Sequence, residues 1–125
     1  MFFLDIESTG IESTTAILSL AMIHVPDGQP RKAIELMDDY IFVKFDVKDQ
    51  IERFNRTVDL GTIDWWKKQS EQARLKSFDR NPDLDMKTED GLDILDAWIK
   101  RHKDYNKDLV WIRGTLDQMA LDSLY

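Results

Sequence analysis

A chain of 125 residues, 42% hydrophobic and 33% charged, is long enough for one compact domain with a single core, as in soluble globular proteins. The absence of cysteine excludes disulfide frameworks, thiolate zinc sites and cysteine nucleophiles. A net charge of −7 argues against a broad basic surface for nucleic acid, although acids that hold divalent cations still meet phosphates locally. The N-terminus carries neither a signal peptide nor a bilayer-spanning run, so we expect no membrane association and a cytoplasmic protein.

Three β-compatible runs open the chain, and turn signals separate them. The runs are 2–7 (FFLDIE), 16–25 (AILSLAMIHV) and a third that ends in 40–43 (YIFV), with 8–10 (STG) and 26–30 (PDGQP) as the turns. Strands connected in this way usually pair as antiparallel neighbours, so the sequence predicts an antiparallel start to the sheet.

Helical spacing replaces the strand pattern after residue 46. Val47, Ile51 and Phe54 recur at intervals of three and four, and residues 62–76 are compatible with a helix that 81–83 (NPD) breaks. Thr88 is predicted to cap a further helix. The apolar stripe of that helix is predicted to consist of Leu92, Leu95, Trp98 and Ile99.

The chain closes with a strand and a helix. Residues 108–112 (DLVWI) have the pattern of a buried strand, and Thr115 is predicted to cap the last helix. The resulting order, β-β-β-α-α-β-α, predicts one α/β domain with a mixed sheet over residues 1–125. Because DLVWI lacks the charges and prolines usual on edge strands, we predict an open sheet edge through which a homo-oligomer or another partner could pair.

Asp5 and Glu7 are the first candidates for chemistry. They lie two residues apart on a predicted strand, so both carboxylates project from one face. No lysine or arginine precedes Arg31, and Mg²⁺ or Mn²⁺ is the simplest counter-charge for a pair of oxygen ligands. By itself, an Asp-x-Glu more often marks the wet face of an amphipathic strand.

Asp117 is the third candidate acid, in the first turn of the last predicted helix. It either stabilises the helix through its dipole or joins the acid pair. Arg113, just before it, either orients a phosphate or forms a surface ion pair. Asp122 is expected to be a solvated acid, and His24 and His102 are not placed like general bases.

Aromatic and basic residues offer further contacts to nucleic acid. Tryptophans at 65, 66, 98 and 111 are expected to be mainly core residues, with base stacking as the other role. A loose basic cluster is more consistent with a solvated helix face than with phosphate contacts. Its members are Lys67, Lys68, Arg74, Lys76 and Arg80.

Three segments together resemble one enzyme family. FLDIESTG resembles the first motif of the DEDD (DnaQ-like) 3′-to-5′ exonucleases, an Asp-x-Glu followed by Thr-Gly, and VWIRGTLDQMALDSLY resembles the second, whose acid is Asp117. TIDWWKKQSEQAR resembles the segment between these motifs in the branch that includes phage exonuclease A and the ribonuclease AS-like enzymes. The three features follow the family's order over nearly the whole chain.

This resemblance implies a ribonuclease H-like fold, with three antiparallel strands followed by a parallel one and helices at their flanks. It implies Asp5, Glu7 and Asp117 as catalytic metal ligands of a two-ion Mg²⁺ or Mn²⁺ site that hydrolyses the terminal phosphodiester at the 3′ end of single-stranded DNA or RNA. The substrate-binding residues would be Thr9, Gly10, Trp65 and Arg113. A phage-encoded member would act in the host cytoplasm.

The family's third motif, a histidine general base followed by a fourth acidic ligand, would follow the last helix, and the sequence stops at Tyr125. From the resemblance we therefore expect a domain that is C-terminally incomplete. These 125 residues alone are expected to hold at most one cation weakly and to hydrolyse little or nothing.

Two other functions compete with this interpretation. The first is a non-catalytic binding or assembly module derived from the same fold. The second is a phosphatase, because Asp5-Ile6-Glu7-Ser8-Thr9 resembles the D-x-D-x-T loop of the haloacid dehalogenase type. That fold requires successive parallel βαβ units, whereas the turn at 26–30 favours antiparallel neighbours.

Overall fold

The computed structural model describes residues 1–25, 39–102, 110–112 and 116–125. Within these residues a four-stranded sheet has the order β3-β2-β1-β4. Its strands are β1 (Phe2–Ser8), β2 (Ile17–His24), β3 (Tyr40–Lys44) and β4 (Val110–Trp111). β2 pairs antiparallel with both β1 and β3, whereas β4 pairs parallel with β1. The predicted ribonuclease H-like sheet is confirmed, and the antiparallel β1-β2-β3 unit rules out the phosphatase fold.

Helices of the described residues flank this sheet. They are α1 (Val47–Phe54), α2 (Leu60–Lys67), α3 (Glu71–Ala73), a π-helical turn (Arg74–Phe78), α4 (Thr88–Lys100) and α5 (Leu116–Leu124). None of them combines the length and the hydrophobicity needed to cross a bilayer. The predicted turn at 26–30 and the predicted cap Thr115 lie outside the described residues.

The core lies on one face of the sheet. Alternate residues of β1, namely Phe2, Leu4 and Ile6, are buried. The predicted stripe of α4 packs against them and is confirmed, and Ala120 and Leu124 of α5 complete the cluster. Because side chains alternate along a strand, this packing leaves Asp5 and Glu7 on the opposite face of β1.

The structure corrects the predicted cap of α4. The residue before the helix, Lys87, makes no side-chain capping bond, and Thr88 is the first helical residue. Asp49 of α1 takes the capping role instead, since its Oδ2 accepts from the Thr88 backbone N–H at 3.0 Å and from the Thr88 hydroxyl at 2.9 Å. Together with the Arg53 guanidinium, whose Nε donates to Asp49 at 2.6 Å, these bonds lower the pKa of Asp49 to about 2.

The structure also corrects the burial expected of the DLVWI strand and adds the burial pattern of α1. The two described residues of the DLVWI strand, Val110 and Trp111, are about half exposed, because β4 lies at the edge of the described sheet. In α1 the helix is confirmed, but the apolar Ile51 and Phe54 remain exposed, and the polar Gln50 is completely buried against β2.

Candidate active site

Asp5 and Glu7 line a cleft on the face of the sheet opposite the core. The cleft has a volume of about 290 Å³. The acids lie on its floor, and α2, α3 and the π-helical turn form the opposite wall. Its other lining residues are Ser19, Ala21, Phe42, Trp66, Ala73, Lys76 and Ser77. The predicted common face for the two carboxylates therefore coincides with a concave surface.

Asp117 reaches the same strand from the other end of the chain. Its Oδ2 accepts a hydrogen bond from the backbone N–H of Ile6 at 3.3 Å, across a separation of 111 residues. Ile6 stands between Asp5 and Glu7, and among the described residues the pairing of β4 with β1 ends at Phe3. The first turn of α5 thus delivers a third carboxylate to the end of β1 that carries the other two.

The wall of the cleft is held by specific contacts. The indole of Trp66 is buried, and its Nε1 donates to the carbonyl of Ser8 at 3.1 Å, just beyond the acids. In the π-helical turn the N–H of Asp79 bonds to the carbonyl of Arg74 at 2.7 Å, five residues back. This wider turn places Lys76 and Ser77, which are adjacent in sequence, in the lining of one cleft. Lys76 is exposed, as expected of a solvated face, and it also lines the cleft that holds the acids.

The turn after β1 is fixed by Thr9. Its side chain is buried, and its hydroxyl lies 3.0 Å from the carbonyl of Thr57 and 3.2 Å from that of Ala16. Its backbone is also engaged, since Thr9 N–H donates to Ala16 and Thr9 C=O accepts from Asp59 N–H. Thr9 therefore shapes the turn, and its backbone N–H is not available to a nucleotide.

Gly10 follows in a tightly packed position. A Cβ there would lie 3.0 Å from Thr15 Oγ1 and 3.3 Å from Asp59 Cβ, so a larger residue would require these neighbours to shift by a few tenths of an ångström. Hydrogen bonds from Thr62 to Asp59 lower the pKa of Asp59 and hold this carboxylate as the cap of α2. Through the close contact of Gly10 with Asp59, the turn after β1 packs directly against the start of α2.

Arg56 is a residue that the sequence did not mark. It follows Asn55, whose left-handed φ of 52° ends α1. Its buried guanidinium donates to the carbonyls of Thr15 and Ala120, at 2.7 and 3.2 Å, and to the hydroxyl of Ser123 at 2.9 Å. Burial lowers the pKa of Arg56. The side chain thus fastens α5, which carries Asp117, to the loop between β1 and β2.

The tryptophans divide between core and surface. Trp66 and Trp98 are buried as expected, whereas Trp65 and Trp111 are about half exposed. Trp65 packs edge-on against Trp66, with ring centroids 5.1 Å apart, and so presents an aromatic surface next to the cleft wall. Arg113 lies outside the described residues.

Comparison with known proteins gives two matches. The model of the family described as "3'-5' exoribonuclease Rv2179c-like domain" matches residues 1–125. A protein of Enterobacteria phage T4 named "Exodeoxyribonuclease" is 34% identical over 118 residues, which cover 90% of this chain and 49% of the phage protein. The chain thus spans about half the length of this curated relative. These matches confirm the resemblance seen in the motifs: the chain belongs to the DEDD family of exonucleases.

Proposed function

We propose that residues 1–125 form a single domain of a divalent-metal-dependent 3′-to-5′ exonuclease, with Asp5, Glu7 and Asp117 as its acidic ligands. The observation that carries the proposal is the hydrogen bond from Ile6 N–H to Asp117. It brings an acid from the second motif to the strand segment that holds both acids of the first. Membership of a family that generally depends on divalent metals supports the same assignment.

The donor set fits Mg²⁺ or Mn²⁺ in chemical type. All three side chains offer carboxylate oxygens, the ligands these hard cations prefer. Like charges at one strand end repel, and a shared cation would draw them together. Such a cation, when bound, supplies charge neutralisation and Lewis acidity for phosphodiester hydrolysis. The residues of the chain hold the acids in place: Ile6 N–H orients Asp117, and Arg56 anchors its helix.

The cleft suits the end of a single strand. Its volume of about 290 Å³ is at the small end of the range for ligand pockets, and a site of this size suits a single terminal nucleotide. Lys76 offers a positive charge to a phosphate in the same cleft, and Trp65 offers a stacking surface beside it. The N–H of Thr9 is bonded within the turn and Gly10 is buried, so we assign to this turn the role of holding the end of β1 in position.

The two matches name substrates with different sugars. The family description names an exoribonuclease, and the phage relative is named an exodeoxyribonuclease. We therefore propose a single-stranded polynucleotide as the substrate class and leave the choice of sugar to a direct comparison. RNA and DNA oligonucleotides of one sequence, labelled at the 5′ end and given to the native gene product with Mn²⁺, should shorten stepwise from the 3′ end. Labelled mononucleotide as the first product would instead show 5′-to-3′ polarity and refute the proposed direction.

Calorimetric titration with Mn²⁺ tests the acid site directly. Asp5→Asn and Asp117→Asn should each weaken binding by about tenfold or more, because each removes an anionic ligand. Asp122→Asn is the matched control, since Asp122 is an exposed acid on the same helix as Asp117. Wild-type affinity in Asp117→Asn would remove Asp117 from the site and with it the main support for the proposal.

A second titration, with a fluorescent single strand, tests Trp65. Loss of one stacking surface costs about 1–3 kcal/mol, so Trp65→Ala should bind the strand roughly 5- to 150-fold more weakly. Trp111→Ala removes an equally exposed indole at the sheet edge and should bind like wild type. Equal losses in the two variants would mean that Trp65 makes no specific contact.

A further inference from the structure

A second group of ligands lies away from the acid cleft. His24 ends β2, Asp39 immediately precedes β3, and His102 follows the C-terminal end of α4. One donor atom from each lies within 4.8 Å of the other two. From this geometry we propose that His24, Asp39 and His102 form a binding site for a transition-metal ion of the Zn²⁺ class.

The distances are close to those of a coordination sphere. His102 Nε2 lies 2.7 Å from Asp39 Oδ1, and His24 Nδ1 lies 3.6 Å from Asp39 Oδ2. Ligands about 2.0–2.2 Å from a tetrahedral zinc ion are themselves roughly 3.3–3.6 Å apart. The two contacts run to different oxygens of Asp39, so its carboxylate bridges the two imidazoles. One donor atom from each residue lies within 4.8 Å of the other two, so the three donors need to move by about 1 Å to share one ion.

The backbone holds these ligands in position. His24 N–H donates to the carbonyl of Asp39 at 3.2 Å, which fixes the aspartate beside β2. His102 Nδ1 lies 2.9 Å from the carbonyl of Trp98, which only accepts, so Nδ1 carries the proton. A neutral His102 ring then presents Nε2 as a ligand toward Asp39. A metal-binding histidine typically has its other nitrogen oriented by a carbonyl in this way.

Aromatic rings enclose the group. The Phe2 ring centroid lies 4.7 Å from that of His24 and 5.6 Å from that of His102, and Trp98 lies 4.6 Å from His102. Side-chain exposure is 10% for His24, 14% for His102 and 30% for Asp39, so solvent reaches the group mainly past the carboxylate. Three protein ligands with one accessible side leave room for a water molecule as the fourth ligand.

This group is distinct from the acid cleft in place and in chemistry. His24 pairs with Phe2, so it shares the core face of the sheet, whereas Asp5 and Glu7 project from the other face. Phe2 and the nearer acid, Asp5, are three residues apart, roughly 10 Å along a strand. Two imidazoles with one carboxylate favour Zn²⁺ and related ions over Mg²⁺. A bound ion would tie the end of α4 to β2 and β3.

The alternative to a metal ion at this site is a proton on His102. With both nitrogens protonated, His102 would donate to Trp98 and to Asp39 and form a simple ion pair. Calorimetry separates these cases. Untagged protein saturated with Mg²⁺ should bind one equivalent of Zn²⁺, and its melting temperature should rise. Asp39→Asn and His102→Gln should weaken Zn²⁺ binding by at least about tenfold, whereas Asp5→Asn should leave it unchanged.

Imidazole NMR of the wild-type protein covers the case in which these variants fail to fold. The chain contains two histidines, so its spectrum has two imidazole spin systems. One equivalent of Zn²⁺ should shift the signals of His102 Nε2 and His24 Nδ1 while His102 Nδ1 keeps its proton. If neither ring responds, or if Asp39→Asn binds Zn²⁺ as tightly as wild type, the three residues form only a hydrogen-bonded ion pair and the proposal is overturned.

Discussion

Arg56→Ala removes the guanidinium that joins the loop after β1 to α5. The side chain is 7% exposed and donates to the carbonyls of Ser13, Thr15 and Ala120 and to the hydroxyl of Ser123. Each buried acceptor left without a donor costs about 1–3 kcal/mol, and relief of the guanidinium's desolvation offsets part of this loss. We expect a net destabilisation of about 3–5 kcal/mol, a large share of the roughly 5–15 kcal/mol that stabilise a typical domain.

Urea unfolding, followed by tryptophan fluorescence, measures this loss as a lower midpoint with an unchanged slope. Arg80→Ala is the control, because Arg80 is an exposed arginine. Arg56→Lys keeps the charge but loses the forked donors, and it should also bind Mn²⁺ more weakly, since Asp117 lies on the released helix. A wild-type midpoint for Arg56→Ala, or wild-type Mn²⁺ affinity in a destabilised Arg56→Lys, would refute the argument that Arg56 positions Asp117.

Two further predictions concern the packing around α4. In Gly91→Ala the new methyl group would collide with the buried ring of Phe45 and approach Val43 Cγ1 to 3.0 Å. The cost of this crowding, about 1–3 kcal/mol, should exceed the gain in helix propensity of about 1 kcal/mol, so the variant should unfold at a lower urea concentration. An unchanged or higher urea midpoint would contradict this. The pKa of Asp49 is lowered from 3.8 to about 2, chiefly by Arg53. The ionised carboxylate should therefore add about 2 kcal/mol to the free energy of unfolding, a contribution that is fully present above pH 3.8 and is lost as the pH falls through 2. Asp49→Asn should therefore flatten the acid decline of the urea midpoint, and a decline as steep as that of wild type would show that other groups cause it.

The sequence predicts the first acids of the site from local periodicity alone. Asp5 and Glu7 share a face because strand side chains alternate, and β1 has this alternation. Asp117 required the motif spacing of a family, since it meets Ile6 across a sequence separation of 111 residues. Local patterns therefore predict which carboxylates are neighbours within one strand, whereas only tertiary structure or family resemblance joins carboxylates from different elements.

Other residues give no signal in the sequence. Arg56 and Arg53 lie three positions apart at the end of α1, yet one is buried in a carbonyl-lined site and the other forms surface ion pairs. Their roles differ because the chain turns at Asn55, a conformation that no periodicity reveals. His24 and His102 are likewise ordinary residues in isolation, and they meet only because β2 and α4 end side by side.

The buried amide of Gln50 has a consequence for the edge of the sheet. Its Nε2 donates to the carbonyl of Ile17 at 2.7 Å, and its Oε1 accepts from the N–H of Ile17 at 2.8 Å. These are the two bonds that a neighbouring strand would make, and they occur just where β3 has ended and β2 continues. A single side chain therefore acts as a one-residue substitute strand. Both backbone groups of Ile17 are already hydrogen-bonded, so a strand of another chain cannot pair with β2 at this residue. Strand exchange and amyloid-like growth therefore cannot start at this point of the sheet.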